Sequence, residues 1–212
     1  SGVFYDRYIR GLWVVAEGVI YDMFDKAKHV IGKIKDLVTD KYYVSCDYGT
    51  QNATVFLLWC KDLTGKWICI REYYYSGRDE STQKTDTEYA DDLKEFLGDI
   101  SPAAIIIDPS AASFIAELRK RGYKIIKARN DVLDGIRFVA TQLNQEKIAF
   151  AEACKNTILE FNSYIWDAKA SERGEDKPIK QHDHAMDAVR YFCFTMLYKK
   201  PRVKNYSGKG AR

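Results

Sequence analysis

Residues 103–108 read Ala-Ala-Ile-Ile-Ile-Asp, and Pro109 follows at once. An unbroken apolar run of this length has no polar face, so a strand made from it must be covered on both sides. That requirement points to a sheet lying between two layers of helices, with this strand central in it. Pro109 keeps Asp108 extended, Ser110 is placed to cap a helix over 111–121, and Gly122 ends that helix. The run therefore delivers a carboxylate to the carboxyl end of a buried strand, where open α/β sheets place their sites.

The rest of the chain supplies the partners such a strand needs. Tyr42–Asp47 is aromatic and β-branched and stops at Tyr48 and Gly49; residues 53–60 form a second strand-like run. Asp62, Thr64 and Gly65 make a turn into a third run over 67–75. Three strands joined by short turns predict an antiparallel meander. Residues 76–86 are polar and read as loop, and 87–97 is helical on Tyr89, Leu93, Phe96 and Leu97. Beyond the buried run the pattern predicts a strand over 123–126, a helix over 131–145, a short edge strand over 147–150 and a helix over 153–164. The order gives an α/β fold with a mixed sheet, three antiparallel strands and then parallel ones, with helices on both faces.

The last helix carries the densest chemistry. Gln181-His182-Asp183-His184-Ala185-Met186-Asp187-Ala188-Val189-Arg190-Tyr191 leads into Phe192, Cys193 and Met196 at helical spacing. Asp183 is placed to cap the N-terminus. At about 100° per residue Asp187 lies close to Asp183 and about 60° from His184, so two carboxylates and an imidazole share a sector at the electropositive end. The remaining positions are nearly all apolar, so the helix is expected to be buried and its polar residues deliberately placed.

A chain of 212 residues with 46% hydrophobic content can bury one full core with extensions. No run of eighteen apolar residues is present, so no membrane helix is expected, and Ser1-Gly2-Val3-Phe4 does not open a signal peptide. The five cysteines are scattered without a C-x-x-C pair and read as buried free thiols in a reducing compartment. Net charge is +3, yet 199–212 holds six basic residues and no acidic one, so without that tail the balance turns slightly acidic. The tail is expected to be disordered and able to contact nucleic-acid phosphates non-specifically.

The motif H-D-H-A-M-D-A-V-R-Y resembles the closing motif of the nuclease domain of tailed-phage large terminases. The apolar stretch 11–21, followed by a basic linker with Lys26, Lys28, Lys33 and Lys35, resembles the segment that leads from the ATPase motor of these proteins into their nuclease. No G-x-x-x-x-G-K-[ST] occurs, so the phosphate-cradling loop of a motor is not in this sequence. The chain is accordingly expected to be the C-terminal part of a longer protein. Residues 1–40 would be the arm after the motor, 41–198 a ribonuclease-H-like nuclease domain and 199–212 the basic tail.

The resemblance implies a function and a site. Asp47, Asp108 and Asp187 would form the acidic set, and three acids brought together need a cation, since each raises the pKa of the next. Oxygen donors in this number suit two Mg²⁺ or Mn²⁺ ions. Asp47 would bridge them, Asp108 and Asp187 would hold one each, and His184 would ligate weakly or move a proton, with Asp183 the competitor for that role. Arg173, Lys177 and Lys180, in the charged stretch 167–180, would contact DNA phosphates. The activity implied is two-metal endonucleolytic hydrolysis of concatemeric double-stranded phage DNA without strong sequence specificity, during genome packaging in the cytoplasm of the infected bacterium. The partners implied are DNA, the ATPase motor of the same polypeptide, the small terminase subunit and the portal protein, with no membrane and no stable place in the virion. Another ribonuclease-H-like nuclease, for junctions or hybrids, and a non-catalytic docking module of the packaging machine are the alternatives. His29 and His182 are expected to be structural.

Overall fold

The computed structural model describes residues 18–32, 41–49, 52–78 and 82–199. The apolar positions 11–17, Lys33 and Lys35 of the arm, and the tail beyond Lys199, lie outside the described residues.

Strand β1 is a two-residue segment, Val30–Ile31, which follows the short helix α1, Lys26–His29. The meander is β2 Tyr42–Asp47, β3 Ala53–Lys61 and β4 Trp67–Ser76, each antiparallel to the next. Helix α2, Asp86–Leu97, starts on a full capping box in which Thr85 and Glu88 satisfy each other's backbone N–H groups. The remaining strands are β5 Ala104–Ile107, β6 Ile125–Lys127 and β7 Ile148–Ala151, and they alternate with α3 Ala112–Lys120, α4 Val132–Asn144 and α5 Lys155–Phe161. A one-turn helix α6, Ala168–Ser171, precedes α7, His184–Phe192, which runs on into a π-helical turn over Cys193–Leu197. The sheet order is β1-β7-β4-β3-β2-β5-β6, with β5, β6, β7 and β1 joined by parallel pairings.

Each face of the sheet has its own core. Val44, Cys46, Phe56, Leu58, Ile105 and Ile107 meet Tyr89 and Leu93 of α2 and Phe114 and Leu118 of α3. Val55, Leu57, Trp59 and Ile106 face the other way, onto α4, α5 and α7. The Trp59 ring lies flat on Phe192 at 4.3 Å, while its indole N–H donates to Ser45, so the one polar atom of the ring is satisfied inside the core. Residues 18–32, within the stretch expected to link domains, also join this core: Ile20 and Tyr21 are buried, and Phe24 stacks on Phe161. All five cysteines are buried free thiols.

Three local expectations need correction. β5 is buried on both faces but lies second from the edge, and β3 is the central strand. β7 is not an edge strand, because Val30 and Ile31 pair with Phe150 and Ala151 along its outer side. Ser110 does not cap α3; Ala111 occupies that position without a side-chain bond, and the Ser110 N–H instead donates to Asp108 Oδ1 at 2.7 Å. An Asp side chain closing a turn on the amide two residues ahead competes well with a conventional cap.

Candidate active site

Register brings the first two carboxylates together. Cys46 of β2 is paired with Ile107 of β5, so Asp47 and Asp108 are the next residues on two adjacent parallel strands. Cys46 and Ile107 point into the α2–α3 core, and alternation turns the residues after them to the opposite face, where α7 lies. Both aspartates do meet α7 there. Asp47 Oδ2 is 2.9 Å from His184 Nδ1, and the Tyr191 hydroxyl helps to hold the Asp108 carboxyl below its ordinary value. An ionised carboxylate only accepts, so Nδ1 carries the proton and Nε2 of His184 is left as the basic nitrogen.

Helix α7 is buried from Ala185 to Phe192, including Asp187 and Arg190. Arg190 Nη2 donates to Asp187 Oδ1 at 2.8 Å, and its Nη1 reaches the carbonyl oxygen of Asn130 at 2.8 Å. The guanidinium thereby ties one oxygen of Asp187 to the loop before α4 and leaves the other, Oδ2, facing the cleft. Lys180 takes that oxygen at 3.1 Å and also lies 3.0 Å from Asp183 Oδ2. Asp183 stands at the N-cap position but makes no side-chain cap bond, contrary to the role expected for it. The cap is provided from outside: Glu160 of α5 accepts from the N–H groups of Ala185 and Met186, at 2.8 and 3.1 Å. A carboxylate from a neighbouring helix satisfies the free donors of the first turn, so Asp183 is left for Lys180.

Asp47, Asp183, His184, Asp187, Lys180 and Arg78 line one cleft of about 580 Å³. Asp108 stands beside it rather than in its lining, bonded to Ser110 N and to Asn130 Nδ2 at 3.1 Å. Burial, and then the neighbouring Asp187 and Asp183 charges, push the Asp47 carboxyl up to about 6 against the opposing pull of His184. His184 is raised as well: burial opposes this, but the hydrogen bond and charge of Asp47 outweigh it. Asp108 goes the other way, since the bonds from Ser110, Asn130 and Tyr191 outweigh its burial and hold it below its ordinary value.

Among the described residues no group of three His, Cys, Asp or Glu side chains is drawn close enough to hold a metal as it stands. Each carboxylate is engaged by a protein donor: Asp47 by His184, Asp108 by Asn130 and Ser110, Asp187 by Arg190 and Lys180. The donor set is nevertheless one that fits hard divalent cations, all oxygen apart from one imidazole. An ammonium already stands against two of the acids, as a stand-in for positive charge. Of the three cations expected to contact DNA, Lys180 lines the cleft; Arg173 is exposed, 3.9 Å from Glu175, and Lys177 is exposed on the same loop. His182 lines the cleft too, with φ at 51°, and His29 is buried, its Nε2 donating to the Leu143 carbonyl at 3.0 Å. Arg78, Glu160 and Arg190 were not anticipated. Only Arg190, three residues after Asp187 on the same helix, left a local signal.

Comparison with known proteins gives this arrangement a lineage. Residues 47–193 match the family described as the terminase RNase-H-like domain, a span that opens on Asp47 and includes α7. The chain is 25% identical over 191 residues to the large terminase subunit of Escherichia phage T5, covering 86% of this chain and 43% of that protein. The large terminase of the thermophilic bacteriophage D6E, solved in complex with ADP, superposes with a TM-score of 0.83 at 57% identity, over 94% of this chain and 50% of that one. The large terminase nuclease of thermophilic phage G20c, solved with bound cobalt, superposes at a TM-score of 0.58 and 15% identity, over 85% of this chain and 98% of that one. The chain thus spans about half the length of the whole large terminases it matches. It belongs to the terminase RNase-H-like domain family.

Proposed function

We propose that this chain is the nuclease part of a phage large terminase, a divalent-metal-dependent endonuclease that cuts concatemeric double-stranded DNA during genome packaging. The observation that carries the reading is the convergence of Asp47 and Asp187 on one cleft, with Asp108 on the strand next to Asp47. The cobalt in the G20c nuclease supports a divalent ion, and the ADP in the D6E protein supports an ATPase motor in the part of the polypeptide beyond this chain.

Asp47, Asp108 and Asp187 would hold two Mg²⁺ or Mn²⁺ ions. When bound, such ions supply Lewis acidity toward a phosphodiester and lower the pKa of water. The chain's own residues do the rest. Arg190 fixes the orientation of Asp187, and Asn130 and Ser110 fix that of Asp108. His184, anchored on Asp47 through Nδ1, has Nε2 available to take up or return a proton. Arg78 and Lys180 give the rim of the cleft positive charge toward DNA phosphates, contacts that would not depend on sequence. Arg173 and Lys177 would extend that contact along the 167–180 loop. Small terminase subunit and portal protein remain the assembly partners this reading implies.

The test is cleavage of supercoiled plasmid in Mn²⁺, Mg²⁺ or EDTA by the wild-type chain and by Asp47→Ala and Asp187→Ala. Nicking and linearisation that need the metal, and fall at least about a hundredfold in both variants, are expected. Equal cleavage by both variants, or cleavage in EDTA, would overturn the assignment. No cleavage by the wild type in any metal would favour a docking role over autonomous catalysis.

A further inference from the structure

The ammonium of Lys180 lies 3.0 Å from Asp183 Oδ2 and 3.1 Å from Asp187 Oδ2. The two acid side chains are 6% and 11% exposed, whereas the lysine is 53% exposed, so the contact consists of a long stem reaching from the surface down to two buried anions. Arg190 holds the other oxygen of Asp187, so that carboxylate is not free to turn away, and the Asp183 side chain lies almost fully buried at the start of α7. Lys180 therefore supplies the charge that lets these two acids lie side by side. Burial works against its own charge, yet the two acids outweigh it and raise the ammonium's pKa.

A Mg²⁺ ion on Asp187 would need to approach its ligating oxygen to about 2.0–2.1 Å. Oδ2 is the oxygen that Arg190 leaves open, and Lys180 occupies it. An ammonium and a divalent cation cannot share that position, because each excludes the other by volume and by charge. The lysine is the one able to leave. Its four-carbon stem is flexible, whereas Asp187 is held by Arg190.

We propose that Lys180 is a built-in competitor for the metal: it neutralises Asp183 and Asp187 in the metal-free chain and must be expelled before a divalent ion can load on Asp187. Lys180 then sets the metal concentration at which the site becomes occupied. This rests on the nuclease reading given above, and it adds a step that the acidic set alone does not contain.

Three readouts independent of cleavage test it. The first is Mn²⁺ binding by isothermal titration calorimetry at pH 7.5, comparing wild type, Lys180→Met and Lys180→Arg. Lys180→Met should bind at least one Mn²⁺ roughly fivefold tighter, the order expected when a partly exposed ionic competitor is removed. Lys180→Arg should bind no tighter than wild type. The second is the melting temperature in EDTA, which should fall in Lys180→Met and recover with Mn²⁺ by more than the wild type gains. The third does without Lys180→Met, so that it stands even if that variant does not fold. With lysine-selective ¹⁵N labelling, one ammonium resonance absent from Lys180→Arg should move to the position of solvent-exposed lysines on saturation with Mg²⁺. A wild type that binds Mn²⁺ with an affinity untouched by Lys180→Met, or a Lys180 resonance unmoved by Mg²⁺, overturns the competitor role and leaves the nuclease reading intact. A wild type that binds no divalent ion overturns both.

Discussion

Gly135 lies inside α4, where alanine would ordinarily favour the helix by about 1 kcal/mol. Here the balance reverses, because a Cβ at 135 would fall 2.6 Å from Arg190 Cγ and 2.7 Å from Cδ. Those are stem atoms, and the stem cannot step aside. Its guanidinium is held by Asp187 and by the Asn130 carbonyl, and its Cα belongs to a buried helix. Gly135→Ala should therefore cost about 1–3 kcal/mol despite the better helix former, and should loosen Asp187. Urea unfolding of both proteins, with metal-dependent cleavage measured beside it, checks this; a variant as stable and active as wild type would mean that Arg190 is not confined by α4. The pair also illustrates what sequence could and could not disclose at this scale. Asp47 and Asp108 stand out because each is a carboxylate at the end of an apolar run, and His184 and Asp187 because they are polar residues in the first turn of an otherwise apolar helix. Gly135 and Arg190 sit 55 positions apart, and nothing local to either predicts that one makes room for the other.

Helix α7 is placed by a relay of carboxylates between elements. Glu72 of β4 accepts from the N–H groups of Asn156 and Thr157 at the start of α5, at 2.9 and 2.6 Å. One turn further along α5, Glu160 does the same for Ala185 and Met186 at the start of α7, while Tyr74 of β4 donates to it at 2.9 Å. A strand thus fixes one helix terminus, and that helix fixes the terminus that carries Asp187. Glu160→Ala would leave two amides and a phenol without their acceptor in a buried place, a loss of about 2–4 kcal/mol. Chemical denaturation should show that loss, and amide hydrogen exchange should show it concentrated at the first turn of α7. Uniform exchange along the helix would argue against a role at the cap. The elements themselves were legible in the sequence, because apolar periodicity is local: the meander, the helices over 87–97 and 131–145 and the buried strand all lie within a few residues of their expected bounds. What periodicity cannot supply is a long-range partner. Asp183 before the helix looked like its cap, yet the acceptor comes from Glu160, 25 residues away from Ala185, and β7 looked like an edge until β1 was laid along it.

Across the whole molecule, these buried acids make stability depend on pH in a definite direction. Asp47 is raised from 3.8 to about 6, so the folded chain holds that proton more tightly than the unfolded chain. Its contribution is fully present below the unfolded value and is lost as pH rises through about 6. His184 is also raised; its contribution is complete below its unfolded value of 6.5 and disappears as pH passes its folded value. Glu160, buried and pushed well above 4.5, acts with the same sign. Asp108 opposes them, but it is lowered, so it matters only in acid, below its ordinary 3.8. Between pH 5 and 8 the three raised groups dominate, and the metal-free protein should lose melting temperature steadily over that interval. Scanning calorimetry in EDTA measures this directly, and Asp47→Asn, which has no proton to lose at 47, should flatten the slope. Mg²⁺ should flatten it as well, by supplying at pH 8 the positive charge that protons supply at pH 5. A wild-type melting temperature that stays level or rises from pH 5 to 8 in EDTA would mean that Asp47 and His184 are not held in the folded chain as the geometry describes.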